Sequence, residues 1–389
     1  MKVRLERWGR NALGRLFGML VPARKMDPNS VGPLLSRPDA KILIIRPHQG
    51  LGDLLLATPA FRALKASHPS VQIHFLADTY NAVAIRDNPR LDKVWVWDKK
   101  SMRNPFRFWS FIRALRRERF TLAVPLSSHI PSFTSFLIAR LSGAQAVWAY
   151  DTSPFYDNAT WSRDLTHVEM KNRPEEDPEW VKFMELFRPL LGRASSDNFA
   201  PEFVVGAAND IWAQSVWRTF NLPPAQKKIG LFFGGNPDRP ERLWPSDYWG
   251  ELAVKIQKNE EMSLVAIVPP EDFLSGSRAL EKGVYPQIAP RLVMPRPVFS
   301  DRDLSRVAAF LKGLDLFVCV DGGLFHIAVA SGVRTLGLFF KTDPARWKPP
   351  VGWATVLRPP DDVPTSLLPE EVYQKICELV VKSKLTNAH

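Results

Sequence analysis

Three stretches of this chain set chemistry-bearing side chains directly after apolar runs. In RPHQGLGDLLL, residues 46–56, Gly50 and Gly52 lead to Asp53 just after the run KILII. A carboxylate at that point can accept a proton from an attacking hydroxyl. The same residues also suit a tight glycine turn with Asp53 as a helix cap. In VDGGLFHIAVASG, residues 320–332, Asp321 ends an apolar run, Gly322 and Gly323 open a helix, and His326 follows one helical turn later. Exposed amides at such a junction receive a phosphate. In FFGGNPDRPERLWPSDYW, residues 232–249, a third glycine pair leads to Arg239 and Arg242. A guanidinium there neutralises a diphosphate leaving group, whereas a lone Arg elsewhere is a solvated surface charge. The spacing of Gly50, Gly52 and Asp53 does not match GxGxxG, so a dinucleotide fingerprint is not supported.

These loops need strands to hold them. The pattern predicts strands over 41–46, 71–78, 93–98, 122–126 and 146–150, alternating with helices over 53–67, 105–119 and 132–142. Between 151 and 225 the alternation lapses, with helices expected only over 177–191 and 208–220. It restarts with strands over 227–235, 263–270, 291–295, 315–321 and 334–340. Helices are expected over 246–259, 271–283, 301–314, 324–331 and 369–383, the third of them capped by a Ser300/Asp303 box. Continuous apolar strands alternating with helices predict parallel sheets covered on both faces. The reading is an α/β chain of two Rossmann-like units facing a cleft. A helix and linker occupy 1–40, one unit 41–200, the other 225–360, and a terminal helix 361–389. Ligands bind such sheets beyond the carboxyl ends of the strands.

The chain has 389 residues and a formal net charge of +12, which predicts attraction to polyanions without choosing among them. No recognised nucleic-acid module accompanies the charge, so nucleic acid is not an expected partner. The two cysteines, Cys319 and Cys377, match no metal or disulfide spacing, and no apolar run is long enough to cross a bilayer. Residues 1–25 carry Lys2, Arg4, Arg7, Arg10, Arg15, Arg24 and Lys25 against Glu6. Leu5, Trp8, Ala12, Leu16 and Met19 recur there at helical spacing, widened by Phe17 and Leu20. This is a basic amphipathic helix suited to an anionic membrane surface, or to packing on the domain. Residues 99–119 are basic and aromatic together. Phe108, Phe111, Ile112 and Leu115 are expected to face inward, with Arg103, Arg107, Arg113, Arg116 and Arg117 outward. That outer face suits the phosphates of a lipid acceptor or an anionic leaflet, or is simply a solvated helix face.

GDLLLATPA, RLWP before a helix, and VDGGLFHIAVASGVRTLGLFFKTDPARWKP together resemble the heptosyltransferases of bacterial lipopolysaccharide synthesis, glycosyltransferase family 9 with the GT-B fold. The resemblance runs from about Lys41 to Pro360. It implies an inverting, metal-independent transfer of heptose from ADP-heptose to a lipid-anchored, phosphorylated core sugar, with no cofactor. It further implies work on the cytoplasmic face of the bacterial inner membrane. By this resemblance Asp53 is the general base. Arg242 contacts the donor phosphate, where the family often has Lys. Asp321 and His326 are donor-site residues, Gly322 and Gly323 lie at the diphosphate, and Gly52 belongs with the donor contacts. Glu271 matches a ribose-contacting acid. The chain departs from the family at Gly322, usually Ser or Thr, and at Lys341, usually Gly. Other readings on the same fold are another nucleotide sugar, a protein acceptor, or a non-catalytic nucleotide-sugar or polyanion binder.

Overall fold

In a computed structural model of the chain, the described residues are 12, 14, 16–19, 22–47, 50–128, 130–152, 161–191, 198–235, 239–269 and 297–386, with backbone alone for 382–386. The chain divides into two compact units, 1–199 and 200–389. Among the described residues each unit holds one six-stranded sheet.

The first sheet contains β1 (Lys41–Arg46), β2 (Gln72–Asp78), β3 (Lys93–Trp97), β4 (Leu122–Pro125), β5 (Ala146–Tyr150) and β6 (Val168–Met170). Its spatial order is β3-β2-β1-β4-β5-β6 and every pairing is parallel. The second contains β7 (Lys227–Phe232), β8 (Met262–Ile267), β9 (Val298–Phe299), β10 (Leu316–Val320), β11 (Thr335–Leu338) and β12 (Ala354–Leu357). Its order, β12-β11-β10-β7-β8-β9, is the same winding repeated, again wholly parallel. In each, the order reverses between the first and fourth strands, where doubly wound sheets bind ligands.

Helices on both faces explain the unbroken apolar strands. From Ile42 to Arg46 and from Leu316 to Val320 every residue is buried. In the second unit, Trp217 stacks on Phe310 with ring centroids 4.3 Å apart, fixing the helix Ala207–Thr219. Val372, Ile376 and Val380 of the helix Pro369–Thr386 join the core over the other face. Cys319 is fully buried, and burial pushes its thiol pKa far up, as an inert core residue requires.

Several boundaries differ from the expected ones for local reasons. The helix expected over 53–67 is two helices, Leu51–Leu56 and Thr58–Ser67. Pro59 has no N–H to give the Leu55 carbonyl, and the Thr58 hydroxyl donates to that oxygen instead at 2.7 Å. The helix expected over 301–314 is Leu304–Leu311, capped by Asp303 alone, whose carboxylate accepts the Ser305 amide at 2.8 Å. Ser300 is no part of that cap, because its hydroxyl has no partner among the described residues. β6, β9 and β12 were not expected as strands; all are short and lie at or beside sheet edges. The helix and strand expected over 271–283 and 291–295 fall outside the described residues.

Candidate active site

The first cluster lies at the carboxyl end of β1. The chain leaves Arg46, turns through Gly50 and enters the helix Leu51–Leu56, which carries Gly52 and Asp53 in its first turn. The Asp53 carboxylate is ion-paired with Arg46 Nη2. Arg46 is itself buried, and its Nη1 donates to the Leu126 carbonyl at 3.0 Å, beyond the end of β4. The guanidinium therefore joins the switch-point strands and sets the direction of the carboxylate, while the Asp53 side chain stays 21% exposed.

Gly50 makes that pair possible. Its φ is +143°, a backbone conformation that L side chains rarely adopt. A Cβ there would sit 2.7 Å from Asp53 Oδ2 and 3.0 Å from Arg46 Nη2. Arg46 was not among the expected site residues. The signal for it was a lone cation closing the otherwise apolar run KILIIR.

The second cluster forms where β7 and β10 end. Gly235 lets the turn Pro240–Arg242 approach closely, since a Cβ at Gly235 would lie 2.3 Å from Leu243 Cδ2. Trp244 then anchors the turn. It is buried, its indole N–H donates to the Leu367 carbonyl at 2.9 Å, and its ring meets Trp249 edge to face at 4.9 Å. This anchoring carries Arg242 to Asp321, with Nη1 3.2 Å from Oδ2. The Thr342 hydroxyl donates to the same carboxylate oxygen at 2.6 Å. Thr342, in the loop after β11, was also missed; it lies in the TDP run read only as a family marker.

Gly322 follows Asp321, and Gly323 opens the helix Gly323–Ala330. No side chain caps that helix. A Cβ built at Gly322 meets nothing within 4 Å among the described residues, so space stands open beside the helix N-terminus. Unsatisfied amides, the helix dipole and Arg242 together favour an anion there. Arg242 Nε has no hydrogen-bond partner among the described residues.

His326 sits differently from the sequence-based expectation of a residue pointing into the site. It lies on the buried side of its helix, only 4% exposed. Burial pushes its pKa down to about 4, against the opposing pull of the Asp321 charge, so the imidazole is neutral at pH 7. It can support the helix from beneath, and it brings no positive charge to a diphosphate. Glu271 lies outside the described residues. Arg103, Arg107, Arg113, Arg116 and Arg117 are all exposed, as expected, while Ile112 and Leu115 are buried and Phe108 and Phe111 half-buried. They lie in and beside the helix Pro105–Arg117, distinct from the Asp53 cluster.

Comparison with known proteins follows this geometry. Lipopolysaccharide heptosyltransferase 3 of Escherichia coli is 20% identical over 303 residues, covering 77% of this chain and 83% of its own. A solved glycosyl transferase family 9 protein from Veillonella parvula superposes with a TM-score of 0.75 at 16% identity, over 92% of this chain and 99% of that one. The E. coli heptosyltransferase WaaC, solved with ADP-2-deoxy-2-fluoro heptose, superposes with a TM-score of 0.64 at 18% identity, over 87% and 99% of the two chains. These solved structures establish the GT-B fold. The model of glycosyltransferase family 9 (heptosyltransferase) matches residues 108–360, a span that contains the whole second cluster, and the chain is therefore a glycosyltransferase belonging to that family.

Proposed function

We propose that this protein transfers a heptose from ADP-heptose to a lipid-anchored, phosphorylated core sugar of lipopolysaccharide, with inversion and without a metal ion. The observation that carries the reading is the Arg242–Asp321–Thr342 arrangement beside an uncapped helix N-terminus with open space at Gly322. Arg242, steadied by the buried carboxylate, and the amides following Gly322 take the charge of the departing diphosphate. Asp53 takes the proton of the acceptor hydroxyl as its oxygen bonds to the anomeric carbon and the bond to the ADP oxygen breaks. A single displacement of this kind inverts the anomeric centre. The donor is supported by the names of the relatives, one a lipopolysaccharide heptosyltransferase and one solved with an ADP-heptose analogue.

A peripheral place on an anionic membrane surface completes the reading. Gly14 and Gly18 lie close against Trp161 and Asp164, and Phe17 packs beside Trp161, whereas Ala12, Leu16 and Met19 are exposed. One side of this segment meets the protein and an apolar stripe is left outward. In the helix Pro105–Arg117, the exposed Phe106 and Trp109 accompany Arg113, Arg116 and Arg117, which with Arg119 line a groove of about 530 Å³. Glu118 does not neutralise that face, because Lys41 at 2.8 Å and Lys93 at 2.7 Å hold it and pull its pKa down to about 2. No helix among the described residues is long and apolar enough to cross a membrane.

The deciding experiment measures transfer from ADP-heptose to a lipid A–core acceptor with EDTA present, for wild type and Asp53→Ala. Transfer by the wild type, lost in the variant, supports the reading. ADP-heptose binding without transfer points to another acceptor, and absence of ADP-heptose binding removes the donor assignment. Sedimentation with phosphatidylglycerol vesicles tests the membrane surface; unchanged binding after Arg113, Arg116 and Arg117 are all changed to Glu rejects that role for the helix.

A further inference from the structure

The groove at the end of the helix Pro105–Arg117 is walled by Trp109, Ile112, Arg113, Arg116, Arg117 and Arg119. None of the four guanidiniums makes an ion pair or hydrogen bond among the described residues. We infer that this groove is a binding site for the phosphate of an anionic phospholipid, gripped by the guanidinium forks while the Trp109 ring enters the headgroup layer. The inference rests on the membrane part of the proposed function and sharpens it, from an attractive surface to a built site.

Three observations carry it. The first is charge. Arg113 stands one helical turn from both Arg116 and Arg117, at spacings where like charges destabilise a helix. The dipole at a helix C-terminus favours cations in the last turn, which accounts for Arg116 and Arg117 but not for Arg113 and Arg119. Glu118, the acid between them in the chain, is held by Lys41 and Lys93. A phosphate in the groove relieves the repulsion and accepts the bidentate bonds that guanidinium groups form.

The second is the backbone. Arg119 follows the helix with φ +55°, in the left-handed region. The other described non-glycine residues in that region are Asn221 and Asp362, types that tolerate it. Gly or Asn would end the helix Pro105–Arg117 with less strain. Arg at this position instead brings a fourth guanidinium to the groove.

The third is position. Lys41 and Lys93, which hold Glu118, open β1 and β3, so the groove lies at the amino edge of the first sheet. Asp53 lies past the other end of β1, whose six residues span about 20 Å at ~3.3 Å each. The groove is therefore separate from the reacting centre. Ile112 and Leu115 share a cluster with Val147 of β5 and with Ile138 and Ala139 of the helix Phe133–Leu141. Ala149, two residues after Val147 and so on the same side of β5, clusters with Phe136 of that second helix and with Trp161, beside Phe17. The helix Pro105–Arg117 and the segment around Phe17 thus cover one face of one sheet. Exposed Phe106 and Trp109 on the first and exposed Leu16 and Met19 on the second add apolar tips to that face. Apolar tips, an interfacial indole and arginines on one face match an anionic leaflet.

The test keeps the charge and removes the forks. Changing Arg113, Arg116, Arg117 and Arg119 together to Lys leaves the net charge as it is and abolishes bidentate contacts. In sedimentation with phosphatidylcholine–phosphatidylglycerol vesicles, this variant should bind about tenfold more weakly than wild type, a loss of about 1.4 kcal/mol. Dihexanoyl phosphatidylglycerol, below its micellar concentration, should bind the wild-type chain in an NMR titration, and equimolar inorganic phosphate should not displace it. Equal vesicle binding by wild type and the lysine variant overturns the site and leaves the attractive surface standing. Binding of the short-chain lipid without binding of vesicles keeps the site and removes the membrane reading; absence of both overturns both. Displacement by inorganic phosphate, or tighter binding of a DNA oligonucleotide than of either lipid, overturns the phospholipid as the ligand.

Discussion

The two sheets share one winding, and each places an aspartate just past a switch-point strand, yet the two carboxylates stand in opposite conditions. Asp53 is 21% exposed and rests on a buried guanidinium. Asp321 is 7% exposed and is held between a hydroxyl and the half-exposed Arg242. In the first pair the cation is buried and the acid is reachable; in the second the acid is buried and the cation is reachable. An acid that must take a proton from substrate has to be accessible. An acid that aims a cation at a diphosphate should be sequestered and fully engaged. One topology thus yields a reachable carboxylate at the edge of one sheet and a reachable cation at the edge of the other.

Asp53→Ala breaks this contrast most severely. Transfer should fall by about 10²–10⁴, the usual contribution of a positioned base, with ADP affinity unchanged in a binding titration. Arg242→Ala should lower the rate by about 10²–10³, as loss of a transition-state charge partner does, and Arg242→Lys should recover part of it in the same assay. Equal effects of Asp53→Ala and Arg242→Ala on ADP affinity would erase the distinction.

Acid separates the units by stability. His74 and His167 in the first unit and His326 in the second are each pushed down to about 4, burial being the leading cause. His74 Nδ1 accepts the Trp95 indole N–H at 3.2 Å, and His167 Nδ1 accepts the Val147 amide N–H at 2.9 Å, so in each ring the nitrogen that a second proton would need is already taken. Above pH 6.5 these groups are neutral folded or unfolded and contribute nothing to the pH dependence. As pH falls from 6.5 to 4 the unfolded chain takes up protons that the folded chain refuses. Stability then drops by about 1.4 kcal/mol per residue per pH unit at most, and levels off below pH 4 for these groups. Hydrogen exchange should show the first unit, with two such histidines, loosening before the second.

The glycines give the smaller contrasts. Gly50→Ala forces a Cβ onto the Asp53–Arg46 pair at a φ of +143°, and should cost about 1–3 kcal/mol in urea unfolding as well as activity. Gly322→Ser has an extended φ of 163° and open space, and should shift stability by less than about 0.5 kcal/mol. Its effect, if any, belongs to donor affinity.

What could be read from the chain was what depends on neighbours in sequence. KILII and DLFVCVD announce buried strands because a strand covered on both faces must be apolar throughout. The glycines before Asp53 and after Asp321 announce turns because few residues tolerate that geometry or that closeness. The side chains of Asn104 and Asp303 cap helices by reaching the amides two residues on, a local device that went unread at Asn104 and was placed three residues early at Asp303. β6 and β9, three and two residues long, carry too little pattern to stand out. Thr342 and Arg46 look like ordinary polar residues until their partners are known.

The sequence by itself therefore determined the two α/β halves and the strand-to-helix glycine turns that carry Asp53 and follow Asp321, because periodicity, apolar runs and glycine turns act over a few residues. Only the tertiary structure decided the strand order and the pairs that aim the charges. Arg242 and Asp321 are 79 positions apart and meet because β7 and β10 are neighbours and Gly235 admits the intervening turn. Arg46 reaches Leu126, 80 positions away, because β1 lies beside β4. Contacts of that range are set by which strands pair in the sheet, and no local pattern specifies that pairing.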